Sequence, residues 1–240
     1  MKNSALFENI QCVTLDLDDT LWPVEPTISH AEQALYSWID LHYPRITQRY
    51  TLQDLSAQRA TLARQCPDIA HNVTELRYRA LTLLAQEFNY QHELARDGMA
   101  FFRHHRNQVT PYQYSEPVLE KLKQHFIVGA ITNGNAQLDK IPIGRHFDFA
   151  ITAEQAGCSK PDPEMFLKAS QSAGISVDKL VHVGDSPRTD VLGAMNAGCK
   201  AIWFNDKRHA WPGGQTPHCV VHCLSDLPGV LMVNKRSQVA

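Results

Sequence analysis

The chain has 240 residues, 43% of them hydrophobic and 20% charged, with 23 Lys and Arg set against 25 Asp and Glu. That length accommodates one or two domains with sizeable cores, and a formal charge of −2 offers neither a basic face for nucleic acid nor an anchor for a membrane. Residues 1–9 carry one lysine and no apolar run, and no stretch approaches the ~18 consecutive apolar residues of a spanning helix, so a cytoplasmic protein is expected.

Residues 10–15 form a short apolar, β-branched run that predicts a buried strand. It ends in Asp16-Leu17-Asp18-Asp19-Thr20. Three carboxylates where a strand leaves the core are costly without a cation, which makes a bound metal their natural partner. Asp16 and Asp18 are two apart and share a face on extended backbone. Residues 22–27 then bring a proline-bearing exit, and helical spacing predicts helices over 29–42, 51–66 and 68–88, with a fourth around Met99, Phe101 and Phe102 before Arg106. A second proline-bearing segment, 110–117, closes this block.

Beyond it the pattern alternates. A helix is predicted over 115–125, strands over 126–132 and 147–152, and a helix over 162–173. A strand over 180–184, a helix over 189–197 stopped by Gly198, and a strand over 200–204 follow. Such alternation implies an α/β fold with a doubly wound parallel sheet. The organisation read from it is a Rossmann-like core of residues 1–21 and 111–240 carrying an inserted helical cap of 22–110.

Cys12, Cys66, Cys158, Cys199, Cys219 and Cys223 are scattered without secretory features, and are expected to be reduced thiols, mostly small core residues. The run 218–223 contains two His and two Cys. As a strand it separates His218 from His222 by roughly 13 Å, too far to share an ion, so a late strand with one buried face is expected.

Ligands of open α/β sheets sit beyond the carboxyl ends of the strands. Four such ends carry polar residues here: Asp16 and Asp18, then Thr132-Asn133-Gly134, then Lys160 in Ser159-Lys160-Pro161, then Gly184-Asp185 followed by Asp190. In this order, over about 175 residues, they resemble the four motifs of the haloacid dehalogenase-like hydrolase superfamily, and the helical insertion resembles its type 1 cap.

The resemblance implies a Mg²⁺-dependent phosphatase. Asp16 would attack phosphorus and form an aspartyl-phosphate, while Asp18 would protonate the leaving alkoxide and then activate water. Asp16, the backbone carbonyl of Asp18, and Asp185 would hold Mg²⁺. Lys160 would oppose the negative charge of substrate and carboxylates, and Thr132, Asn133 and Gly134 would bind phosphate oxygens. Asp190 would orient Lys160 or a metal-bound water, and Asp19 would be structural, bonding nearby backbone amides.

Dehalogenases of the superfamily lack a carboxylate two residues after the nucleophile, because a halide leaves without a proton. Asp18 therefore argues for phosphoryl chemistry. Sugar phosphomutases of the family keep both aspartates. Receiver-type phosphate-binding regulators share acidic residues, Thr, Lys and Mg²⁺, but are about half this length and lack a cap.

A narrower resemblance is to bacterial phosphatases acting on 5-amino-6-(5-phospho-D-ribitylamino)uracil and FMN in riboflavin metabolism. It rests on residues 131–137 and 182–185, and on His71-Asn72-Val73-Thr74 followed by Arg77 and Arg79. The substrate expected is a small phosphate ester, with a cap that closes over the site on hinges framed by Pro23, Pro26, Pro111 and Pro117. Arg77 reads either as a reach toward a second anionic or carbonyl group or as a side chain on a solvated face. Arg79, Arg103, His104, His105 and Arg106 read as solvated helix residues. Trp38, Tyr78, Phe101, Phe102 and Tyr112 read as ring-stacking candidates or, for most, as core.

Overall fold

The computed structural model describes residues 4–232, which fall into two compact units. One comprises the residues up to Pro23, Pro111–Gly134, and those from Leu138 on. The other comprises Val24–Thr110 with Asn135–Gln137.

In the first unit six strands form one parallel sheet: β1 Cys12–Leu15, β2 Ile127–Thr132, β3 Phe149–Thr152, β4 Leu180–Gly184, β5 Lys200–Phe204 and β6 Cys219–Val221, in the order β3-β2-β1-β4-β5-β6. The chain builds outward from β1 to β3 on one side, then crosses to β4 on the other. That puts the switch point at β1, where a ligand crevice is expected. β1 and β4 are buried along their whole length, as strands covered on both faces require.

Side chains alternate across the sheet, so Cys12 and Thr14 share a face with Leu180 and His182, their register partners. The apolar cluster on that face includes Met165, Phe166 and Ala169 of a helix over Pro163–Ser172 and Ala194 of Gly193–Asn196. Gly129 stands opposite Phe149 in the register. A Cβ there would meet the Phe149 ring at 2.3 Å, so only glycine lets that ring lie across β2.

Two local expectations are corrected in this unit. The helix expected over 189–197 begins instead as a π-helical turn, Pro187–Leu192, followed by one α-turn, Gly193–Asn196. The Ser186 carbonyl accepts from both the Asp190 and Val191 N–H groups, which widens the turn. The late strand is shorter than expected, Cys219–Val221, with Val220 exposed and Val221 buried. His218 Nδ1 accepts from the Ala201 N–H at 3.1 Å, and His222 Nδ1 lies 2.6 Å from the Asn205 carbonyl. Each histidine thus ties the edge strand to its neighbour. Only Cys12 and Cys199 of the six free cysteines are fully buried, which corrects the expectation that most are core residues.

The second unit is helical: α1 Val24–His42, α2 Pro44–Thr47, α3 Leu52–Gln65, α4 Val73–Glu87 and α5 Glu93–Arg106. α1 starts five residues before the expected Ser29, since Pro26 is tolerated in a first helical turn. α4 starts at Val73 rather than at 68, because the Asn72 side chain caps it by accepting from the Glu75 N–H at 2.9 Å. α3 opens on a reciprocal capping box between Thr51 and Asp54. Ala31, Leu35 and Ile39 of α1 meet Leu81, Leu84 and Ala85 of α4 and Leu94, Met99 and Phe102 of α5. Each fully buried large apolar side chain there contributes roughly 1.5–3 kcal/mol.

Arg77 does not stand on a solvated face, which corrects one of its two expected roles. Its side chain is only 8% exposed, with Nη2 2.7 Å and Nη1 3.1 Å from the two Glu32 oxygens, and its guanidinium lies 3.5 Å from the centre of the Phe102 ring. Arg59 pairs with the same Glu32. Arg106 is also buried, against the expectation of a solvated side chain, whereas Arg79 and His104 are exposed. Of the aromatic candidates, Phe102 is fully buried and Tyr78 is 40% exposed. Trp38 stacks on Phe101, and Tyr112 belongs to the sheet unit.

Candidate active site

The residues singled out from the sequence converge at the carboxyl ends of β1, β2 and β4. Asp16 follows β1 directly, its N–H bonded to the Val183 carbonyl at 2.9 Å, which extends the sheet register by one residue. Its carboxylate is buried and lies 2.6 Å from Lys160 Nζ. That ammonium is held on three sides: by Asp16 Oδ1, by Asp190 Oδ1 at 2.6 Å, and by the Ile131 carbonyl at 2.7 Å. Burial would lower the Lys160 pKa, but the two carboxylates outweigh it, raise it, and keep the group charged.

Asp190 is the best-satisfied carboxylate of the set. Its Oδ2 accepts from the Ser186 N–H at 2.9 Å, and its Oδ1 faces His182 Nε2 at 3.3 Å besides Lys160. Burial pushes its pKa up, yet the Lys160 charge and the His182 hydrogen bond prevail and hold it below the usual carboxylate range. A Cβ on Gly184 would meet Asp190 Cγ at 2.3 Å, so the strand end must be glycine for this carboxylate to reach Lys160.

Asp16 and Asp185 have the opposite balance. Burial pushes the Asp16 carboxyl well above its ordinary range, Lys160 draws it back, and Asp190 and Asp18 push it further up. Asp185 is pushed up to about 7 by burial and by the charges of Asp190 and Asp19. One ammonium thus serves three carboxylates, and the pocket is short of positive charge. Carboxylate oxygens of Asp16, Asp185 and Asp190 lie within 4.8 Å of one another, the only such cluster of three among the described residues. Those of Asp190 are taken by Lys160, His182 and Ser186, so Asp16 and Asp185 are the two that could face a cation. Hard, anionic oxygens with a charge deficit fit a divalent cation of the Mg²⁺ kind.

Asp18 accepts from Trp22 Nε1 at 2.8 Å, and Asp19 turns the chain with φ 60°, its N–H bonded to the Trp22 carbonyl. Trp22 is fully buried, so this loop is pinned from the core. Thr132 is buried, and its Oγ1 accepts from the Gly134 N–H at 2.9 Å. The Gly134 N–H is therefore engaged within the turn. The phenol of Tyr112, pushed up to about 12 by burial and by Asp19, Asp206 and Asp185, borders the same carboxylates.

Three supports were missed from the sequence. The Asn133 side chain brackets the Lys160 backbone, Nδ2 donating to its carbonyl at 3.0 Å and Oδ1 accepting from its N–H at 2.7 Å. Trp203 Nε1 donates to the Asp185 carbonyl at 2.7 Å. His182 reaches Asp190 from inside β4. The readable signal for His182, and for Thr14 beside it, was a polar side chain in the middle of a fully buried apolar strand.

The parallel sheet, the acidic switch point, the buried lysine and the strand-end Thr-Asn-Gly are matched by a family profile described as haloacid dehalogenase-like hydrolase, over residues 10–198. The chain belongs to that family. It is 29% identical over 230 residues, 92% of this chain and 96% of the relative, to the 5-amino-6-(5-phospho-D-ribitylamino)uracil phosphatase YigB of Escherichia coli. It is 27% identical over 203 residues, covering 80% of this chain and 83% of the relative, to a glyceraldehyde 3-phosphate phosphatase of Methanopyrus kandleri. Among solved structures it is similar to a 2-haloacid dehalogenase from Pseudomonas syringae, with a TM-score of 0.88, 38% identity, and coverage of 93% of this chain and 99% of that one. No helix among the described residues is long and apolar enough to cross a membrane.

Proposed function

We propose that this chain is a Mg²⁺-dependent phosphomonoesterase that works through an aspartyl-phosphate on Asp16. The observation that carries the reading is Asp18, a second carboxylate two residues from Asp16, fixed by Trp22 Nε1 at 2.8 Å. An alkoxide leaving group needs a proton, and a halide does not. A carboxylic acid at this position therefore has work to do in ester hydrolysis and none in dehalogenation.

Asp16 and Asp185, with the Asp18 carbonyl, would hold the metal. Once bound, it supplies the positive charge that the carboxylates lack and draws a phosphate dianion toward them. Asp16 attacks phosphorus while the Asp18 carboxyl gives its proton to the departing oxygen. The Asp18 carboxylate then takes a proton from water as that water attacks phosphorus, which releases phosphate and restores Asp16. Lys160 stabilises charge on the transferred group and on Asp16. The Thr132 hydroxyl and the Asn133 N–H receive the equatorial oxygens.

For substrate we propose 5-amino-6-(5-phospho-D-ribitylamino)uracil, with FMN as a further ester, which would place the enzyme in riboflavin metabolism. The 29% identity to YigB, spread over 92% of the chain, supports this choice. The dehalogenase reading has the Pseudomonas syringae structure in its favour.

The test is a release assay with and without Mg²⁺, using wild type and Asp16→Asn. Its panel comprises these two esters, glyceraldehyde 3-phosphate, hexose phosphates, nucleotides and L-2-chloropropionate. Phosphate release that needs both Mg²⁺ and Asp16, led by the ribityl ester, is expected. Chloride release without phosphate release would establish the dehalogenase instead.

A further inference from the structure

Thr14 and His182 are register partners at the centre of the sheet, both fully buried in strands that are otherwise apolar. Thr14 Oγ1 lies 3.0 Å from His182 Nδ1, and His182 Nε2 lies 3.3 Å from Asp190 Oδ1. The chain continues through Lys160 Nζ, 2.6 Å from that same Asp190 oxygen and 2.6 Å from Asp16 Oδ1. Phe166 packs edge-on against the imidazole with ring centres 5.2 Å apart, which fixes the plane of the ring. Four polar side chains therefore lead in single file from the middle of the core to Asp16.

The donors in this file can be assigned from valence. A neutral imidazole carries one N–H, and the distances around the ring fit that form. An ionised Asp190 only accepts, so that N–H sits on Nε2. Nδ1 is then a lone pair, and the Thr14 hydroxyl must donate to it. The Val181 carbonyl, the other acceptor within reach of Thr14, is farther away at 3.4 Å. Thr14 thus selects the tautomer, and the tautomer supplies the third donor to Asp190.

We propose that Thr14 and His182 are positioning residues for Lys160: they lock the Asp190 carboxylate in the rotation that seats the ammonium on Asp16. Neither touches the reacting atoms. The inference rests on the reading of Asp16 as nucleophile. Its physical motive is that a buried polar pair gains little stability over apolar residues of the same shape. Its return is the geometry of one ammonium between two carboxylates.

The test compares Thr14→Val and His182→Phe, which keep shape and remove the donors, with Thr14→Ser and His182→Gln, which restore them. Steady-state kinetics on the best ester from the release panel, thermal melting, and ¹⁵N spectra of the imidazoles are recorded for each. His182→Phe is expected to lower kcat by about 10–100-fold, the usual cost of a lost outer partner, with KM within about twofold and a lowered but still cooperative melting transition, because Thr14 and Asp190 each lose a buried partner. His182→Gln should recover most of that loss. Thr14→Val should lower kcat by a smaller factor and redistribute the His182 tautomers, which Thr14→Ser should restore.

Unchanged kcat in folded His182→Phe would overturn the proposal, as would a loss confined to KM or a wild-type imidazole protonated on Nδ1. If wild type hydrolyses no ester, the phosphatase reading fails by itself. The ¹⁵N spectra then still decide the donor chain: Nε2–H in wild type and its redistribution in Thr14→Val uphold it, and an Nδ1–H ring overturns it.

Discussion

The sheet unit gathers three carboxylates, Asp16, Asp185 and Asp190, around the single ammonium of Lys160, whereas the helical unit gathers two guanidinium groups, Arg59 and Arg77, around the single carboxylate of Glu32. Both clusters are largely buried, and they are unbalanced in opposite senses. In the helical unit the surplus is absorbed locally. The Arg77 guanidinium lies 3.5 Å from the centre of the Phe102 ring, and the Arg59 side chain keeps 21% of its surface in water. In the sheet unit His182 and the Ser186 N–H relieve only Asp190, and burial drives Asp16 and Asp185 upward. A buried charge cluster that is balanced from within is architecture. One that is not is a candidate binding site.

The contrast breaks most readily at Asp18. Asp18→Asn keeps an oxygen for Trp22 Nε1 but cannot shuttle a proton, so kcat should fall by ~10²–10⁴-fold with melting unchanged. Turnover within twofold of wild type would remove the acid–base role.

Glu32→Gln strikes the other cluster. It leaves two guanidinium groups without a counter-charge and should cost about 3–5 kcal/mol of stability in urea denaturation, while KM and kcat at a temperature where the variant is folded stay as in wild type. A rise in KM with unchanged stability would turn the Arg59–Arg77 pair into a substrate subsite.

Removing divalent cations tests the charge deficit directly. Without metal, the folded chain holds a proton on Asp185 up to about pH 7, whereas an unfolded aspartate releases it near pH ~4. Across that window the folded state binds the extra proton, so stability falls as pH rises, by about 2 kcal/mol once partial exposure is allowed for. Below pH ~4 this cost vanishes. Saturating Mg²⁺ should flatten the slope in melting curves taken at several pH values, and an identical slope with and without Mg²⁺ would contradict a metal at Asp185.

The smallest effect is expected at the capping box of α3. Thr51→Ala removes an acceptor for the Asp54 N–H and should cost about 1 kcal/mol, with no change in the ¹⁵N signal of His182 in the other unit.

Much of the site was legible because its residues stand at strand ends in chain order: Asp16, Thr132, Lys160, Asp185 and Asp190 each follow a recognisable apolar run or turn. Arg77 was illegible for the complementary reason. Helical spacing placed it beside an apolar stripe, but its partner Glu32 lies 45 residues away on another helix. The side-chain role of Asn133 was hidden in the same way, since its two bonds go to the backbone of Lys160, 27 residues on.

What the amino-acid order determined by itself is whatever depends on neighbours within a turn or a strand. That covers the alternation of strands and helices, the carboxylates at the end of β1, and the family to which the motifs point. The tertiary structure decided how charge is shared. The bond from Lys160 to Asp16 spans 144 residues, and Thr14 meets His182 only through the register of β1 on β4. Electrostatic balance in a low-dielectric interior depends on distances of a few ångström between groups remote in sequence, and folding alone sets those distances.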